Sequence, residues 1–202
     1  MLKDLFESSF YCTFPKKTNK TLILEERIAN GDFSLIDSNA CLGCRFVCTD
    51  NPKDREQLRI HSNQPVSIIS IDQVFSFLQN PEGPICDYMI DSCNSVIFVE
   101  MTCTTTDYIV SKRQKARNQL CNTLILLCAN PTLKQHIERK EIRYAVFSWK
   151  ETYSDCCEED KVAANMKGMT LLTDEVYSPN NESEFINGFK IKEIRYPHVL
   201  DC

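Results

Sequence analysis

The sequence predicts an α+β layered fold in which a mixed central sheet is flanked by helices. Three observations predict it. Two apolar runs, Cys86–Ile90 and Ser95–Thr102, are separated by the polar turn Asp91 to Asn94, close enough to form an antiparallel hairpin. A long segment of helical spacing follows, from about Tyr108 to Ala129, with Ile109, Val110, Ala116, Leu120, Leu124 and Leu127 as its apolar positions. A further apolar run, Arg143–Trp149, then reads as a strand. The order strand–strand–helix–strand allows the last strand to return to the same sheet.

The remaining elements are read around that core. Residues 1–20 are polar and irregular, with Pro15–Lys20 as loop. Leu22 to Ile36 carries apolar residues near helical spacing, interrupted at Gly31-Asp32, and is expected to be helical. The stretch 37–64 is polar and turn-rich. Val66–Ile69 is expected as a short strand or the approach to a helix from Asp72 to Leu78, and Asn80–Pro84 as a turn. Thr104–Asp107 offers an N-cap to the long helix, and Asn130-Pro131 ends it because proline cannot extend the hydrogen-bond ladder. A short helix over 132–139, another over 156–167, and terminal strands at Leu171-Leu172 and Phe189–Tyr196 complete the reading. One domain of 202 residues is expected, with its core at 66–150, an N-terminal helical and cysteine-containing region at 1–65, and a strand-rich extension at 151–202.

Composition excludes several classes. The formal charge of −5 argues against a protein that coats nucleic acid by charge alone, although a local basic patch remains compatible with it. With five glycines and neither GxxxxGK[ST] nor GxGxxG, the usual nucleotide-binding loops are absent. The longest apolar run, Leu124 to Ala129, is far short of the ~20 residues of a membrane crossing. The charged start, Met1–Glu7, does not read as a secretory signal, so a cytoplasmic location with reduced thiols is expected. Twelve cysteines is a high number; those inside apolar runs, such as Cys103, Cys121 and Cys128, can serve as small hydrophobes.

The chemistry centres on two carboxylates. Asp87 lies in the first strand of the hairpin, and Glu100 lies late in the second among Ile97, Phe98, Val99 and Met101. A carboxylate in a strand covered on both faces needs a partner or a function. Two carboxylates on neighbouring strands beside a basic helix can hold a divalent metal against a phosphodiester, since Mg²⁺ takes one or two carboxylates and fills its shell with water and phosphate oxygens. The helix supplies Lys112, Arg113, Lys115 and Arg117 within two turns, without interleaved aromatic residues for base stacking.

These residues resemble the PD-(D/E)xK nuclease superfamily, whose fold is restriction-endonuclease-like. The resemblance covers about residues 66–150, with Asp87 in Cys-Asp-Tyr-Met-Ile and Glu100 in Phe-Val-Glu-Met-Thr at the motif's two acidic positions. It implies Mg²⁺ or Mn²⁺ on Asp87 and Glu100, phosphodiester hydrolysis in DNA or RNA, and phosphate contacts from Arg113 and Arg117. Thr102 stands where the motif has lysine, and a hydroxyl cannot supply that positive charge. Lys112 or Lys115 on the adjacent helix is the expected replacement, with Lys112 favoured by its place near the helix start. Glu26 is a candidate third acid, because family members often place one on an N-terminal helix. The competing expectation is an inactive relative, an interaction module or subunit that binds a protein partner, which Thr102 and the acidic stretch Asp155–Asp160 favour; a homodimer fits either reading.

Cys41, Cys44 and Cys48 have a spacing compatible with zinc or an iron–sulfur cluster if His61, Cys12 or the Cys156-Cys157 pair adds a fourth ligand. His61, His136 and His198 do not neighbour a nucleophile elbow, so Ser/His or Cys/His catalysis is not expected.

Overall fold

The computed structural model describes residues 2–17, 24–36, 45–48, 56–78, 83–151 and 183–202, with backbone alone at 45–48, 56–57 and 183–184. The expected helix at 156–167, the strand at Leu171-Leu172, and most of the turn at 80–84 lie outside these residues.

The described strands are β1 (Glu26–Ile36), β2 (Arg45–Cys48), β3 (Glu56–Ser70), β4 (Tyr88–Asp91), β5 (Ser95–Thr104), β6 (Ile142–Glu151), β7 (Ser183–Glu184), β8 (Lys190–Arg195) and β9 (Val199–Asp201). They form one mixed sheet in the order β2-β1-β3-β4-β5-β6-β8-β7, with β9 parallel to the first part of β3. From β2 through β5 every neighbour is antiparallel, whereas β5–β6 and β6–β8 are parallel. The parallel β5–β6 step requires a crossover. Helices α4 (Ile109–Cys128) and α5 (Pro131–Glu138) provide it.

Two expectations near the N-terminus are corrected. Residues 22–36 are not helical: Glu26–Ile36 is an edgeward strand between β2 and β3. Pairing with β3 along its length, and with β2 over Phe33–Ile36, holds it as a strand, and the Gly31-Asp32 interruption is a register shift between Ala29 and Gly31, where glycine takes φ +74°. Pro65, which has no N–H to give to a ladder, falls opposite this irregularity in β3. Residues 2–13 are helical rather than irregular: α1 (Leu2–Leu5) and α2 (Tyr11–Thr13) are joined by a wide π turn, Phe6–Phe10. Leu2, Phe6 and Phe10 recur at every fourth position and are buried, and the Glu26 carboxylate accepts from the N–H groups of Leu2 and Lys3, both at 3.0 Å. Glu26 therefore stabilises a helix start from β1 and is not on a helix itself.

Two apolar layers result. The helix-facing layer joins Phe6 and Phe10, Val74 and Phe75 of α3 (Ile71–Ser76), Leu120, Leu124 and Leu127 of α4, and Leu133 and Ile137 of α5 to Met89, Val96, Phe98 and Ala145 of the sheet. The opposite layer consists of strand residues, among them Phe33, Leu58, Ile60, Tyr88, Ile97, Val99 and Val146. Tyr88 Oη donates to the Ile36 carbonyl at 3.1 Å, two strands away, so the far half of β1 and β3 packs against the middle of the same sheet.

The α4–α5 junction is tied down by Asn130. Its Oδ1 accepts from Leu133 N–H at 2.9 Å as the N-cap of α5, with Pro131 at the first helical position. Its Nδ2 donates to Ser9 O at 3.1 Å and Thr13 Oγ1 at 2.8 Å. Asn130→Ala should lower unfolding stability by about 2 kcal/mol in urea titration, combining a lost cap with orphaned buried groups. A change within ~0.5 kcal/mol would contradict this role.

Candidate functional site

Alternation along β4 and β5 turns Tyr88, Ile90, Ile97, Val99 and Met101 toward the strand-only layer, and Met89, Val96, Phe98 and Glu100 toward the helices. Glu100 thus projects under α4. Asp87, immediately before β4, is fixed by three backbone-related bonds. Its N–H donates to Val99 O at 3.0 Å, its carbonyl accepts from Ile71 N at 2.8 Å, and its Oδ2 accepts from Met101 N–H at 2.7 Å. The two sequence-identified carboxylates therefore converge, Asp87 bonding to the amide next to Glu100.

Helix α4 sets the approach to Asp87. Gln119 Nε2 donates to Ile85 O, Asn122 Nδ2 donates to Pro84 O, and Thr123 Oγ1 accepts from Cys86 N, each at 2.9 Å. Gly83 takes φ +75°, a backbone angle that favours glycine, and a Cβ there would press on the Asn122 amide, 2.8 Å from its Nδ2.

Asp87 is 9% exposed and Glu100 7% exposed. Glu100 Oε2 has no hydrogen-bond partner among the described residues. Burial raises the Glu100 pKa from its ordinary 4.5 to about 10, with Asp87 and then Asp72 adding to the rise. A Gln119 hydrogen bond and the Lys115 charge oppose it. Burial also pushes the Cys86 thiol up beside the same carboxylates. An orphaned, buried carboxylate oxygen among further negative charge is a donor set suited to a hard cation.

Asp72 is the acid that sequence reasoning missed. It is exposed in the first turn of α3, where an aspartate reads as an ordinary complement to the helix dipole. Only the β3–α3–β4 connection brings its charge to Glu100. Gln119 was missed as well; its one sequence signal is its place four residues after Lys115, on the same helix face.

The basic residues of α4 divide by flank. Lys115 acts on Glu100 from an exposed position, whereas Lys112, favoured from sequence, is half-buried and is not among the charges that shift Glu100. Neither lysine forms an ion pair among the described residues. Arg113, expected to hold phosphate, instead makes a two-point ion pair with Glu193 of β8, Nε to Oε2 at 2.6 Å and Nη2 to Oε1 at 2.9 Å. Trp149 Nε1 donates to the same carboxylate at 3.1 Å. Arg117 stacks over Phe185 at 5.1 Å, a second internal commitment. Thr102 is half-buried opposite Trp149, and its hydroxyl makes a long 3.5 Å bond to Cys103 O. The start of α4 has no side-chain cap; a 3₁₀ turn, Thr106–Tyr108, leads into it.

Cys41 and Cys44 lie outside the described residues, as do Cys156 and Cys157, and Cys48 contributes backbone to β2. His61 pairs with Asp32 at 2.6 Å and Asn63 at 3.1 Å. Among the described residues, no group of three or more His, Cys, Asp and Glu side chains stands close enough to hold a metal by itself, and no helix is long and apolar enough to cross a membrane.

No family model, curated protein or solved structure matches the chain.

The Glu100 shift has a definite sign. Between about 4.5 and about 10 the folded protein holds a proton that the unfolded chain has lost, so this group's contribution to stability is full at low pH and falls as pH rises. Metal-free Glu100→Gln should melt higher than wild type at pH 8, by about 1–3 kcal/mol in stability, with the gap narrowing toward pH 5. A lower melting temperature for the variant at pH 8 would mean that Glu100 is satisfied in the folded state.

Proposed function

We propose that the protein is a divergent Mg²⁺- or Mn²⁺-dependent nuclease of the PD-(D/E)xK type, hydrolysing phosphodiesters in nucleic acid. The observation that carries the reading is the buried Glu100 carboxylate, with an unbonded oxygen, beside Asp87 and within reach of the Lys115 charge. The chain path supports it: an antiparallel β4–β5 hairpin with Asp87 at its entry and Glu100 on β5, a long helix, and β6 returning parallel to β5. That is the layout the resemblance implies for residues 66–150.

Asp87 and Glu100 would hold the cation. Two protein carboxylates suffice for Mg²⁺, whose remaining positions go to water and phosphate, so a tight cluster of three acids is not required. When bound, the cation supplies positive charge against the phosphodiester and acidifies water. The chain's own groups do the rest. The Met101 amide holds Asp87 in one orientation. Gln119 orients Glu100, itself fixed through Ile85 O. Lys115, on an exposed helical position from which its charge reaches Glu100, would offer the ammonium that Thr102 cannot, to orient the attacking water and offset charge developing on the phosphoryl oxygens.

Cleavage of single- and double-stranded DNA and RNA in Mg²⁺ or Mn²⁺ tests this. Asp87→Asn and Glu100→Gln should abolish hydrolysis while the fold persists. Lys115→Met should lower kcat by about 10²–10³ and leave metal binding in place, whereas Lys112→Met should act mainly on KM. Wild-type protein that binds neither cation and cleaves none of the four substrates would replace this reading with the protein-binding module.

A further inference from the structure

The flank of α4 that faces the carboxylates continues past Lys112. At about 100° per residue, Tyr108, Lys112, Lys115 and Gln119 fall within roughly 60° of arc. The opposite flank carries Arg113 and Arg117, which are turned to Glu193 and Phe185. The buried stripe of Ile109, Ala116 and Leu120 runs between the two. Tyr108, immediately before the first α-helical residue, is 65% exposed and its ring meets no other aromatic or cationic side chain among the described residues. It stands ~10 Å along the axis from Lys115. The near flank thus presents, in order, an open aromatic ring, two lysines without ion pairs, and the carboxylate site.

We infer that this flank seats a single-stranded nucleic-acid segment, with one base stacked on Tyr108 and the adjoining phosphates on Lys112 and Lys115. The inference rests on the nuclease reading and names its substrate class. An aromatic face stacks on a base only where that base is unpaired, and such stacking tolerates any sequence. Two lysines on a chain of charge −5 are a small electrostatic footprint, enough to align a strand and too few to hold a duplex by charge. Charge complementarity and the ring select this occupant over an apolar peptide, for which the flank offers no groove of aliphatic side chains. The absence of an aromatic residue between the basic positions hid the pattern in the sequence, because Tyr108 joins them only through the helical repeat.

Fluorescence anisotropy of the full chain with a labelled oligonucleotide, its ribonucleotide counterpart and its duplex, in EDTA so that no cleavage occurs, tests the inference. Wild type should prefer either single strand to the duplex. Tyr108→Ala should weaken single-strand binding about five- to hundred-fold, and Tyr108→Phe should leave it within about twofold of wild type, since the ring is kept. Lys112→Ala should reduce the salt dependence of binding by ~0.7 in log–log slope. Tight duplex binding, or equal single-strand affinity for wild type and Tyr108→Ala, would overturn the inference while leaving the catalytic reading standing. Protein that binds as described yet cleaves nothing with Mg²⁺ or Mn²⁺ would uphold the strand-binding flank and remove the catalytic reading. No binding of any of the three probes would overturn the inference outright.

Discussion

The position of α4 over the hairpin is the constraint on which the site depends. Its polar side chains Gln119, Asn122 and Thr123 bond to three successive backbone groups at Ile85, Pro84 and Cys86, while its apolar face packs on β4, β5 and β6. The Thr123 bond is buried, the Gln119 bond half-buried and the Asn122 bond exposed, and all three join residues distant in sequence, so together they fix the helix in both rotation and translation relative to Asp87. Rotation is what matters chemically. A helix turned by one residue, about 100°, would direct Lys115 and Gln119 away from Glu100 and break the Arg113–Glu193 pair on the other side.

That rotation also explains how an acidic protein keeps a locally basic surface. Of the four cations in the first half of α4, Arg113 and Arg117 serve the fold, one against a half-buried carboxylate and the other against an aromatic ring. Arginine suits both tasks through its planar fork and its stacking face. Lysines, compact and strongly hydrated, occupy the flank beside the acids. Burial of Glu100 with an unmet oxygen carries a cost in the metal-free fold; among the described residues it shares that condition with the Ser34 hydroxyl of β1, but a carboxylate is the costlier group to leave unmet.

The parts of this arrangement legible in the sequence were those governed by local pattern. The β4–β5 hairpin, the long helix and β6 follow from apolar periodicity and from Asn130-Pro131 as a stop and start signal. Asp87 and Glu100 stood out because carboxylates interrupt otherwise apolar strands. What failed depended on tertiary contact. β1 was misread because the apolar spacing of residues 22–36 also suits a helix and only pairing with β2 and β3 decides the matter. The N-terminal helix was missed although Leu2, Phe6 and Phe10 are spaced for it, since its charged and hydroxyl-bearing surface masks the stripe. Asp72 and the choice of Lys115 over Lys112 require the three-dimensional neighbourhood of Glu100, and no spacing rule supplies it. Arg113 looked free for phosphate because its partner, Glu193, lies eighty residues away in sequence.

If Asp87 and Glu100 hold a divalent cation as proposed, the proton that burial keeps on Glu100 must leave when the cation binds. Isothermal calorimetry of Mg²⁺ or Mn²⁺ binding, repeated in buffers of different ionisation enthalpy from pH 6 to 9, measures this directly. Release of close to one proton per cation at neutral pH, affinity that rises with pH, and loss of both in Glu100→Gln are expected. Binding that releases no proton and is unchanged in Glu100→Gln would contradict it.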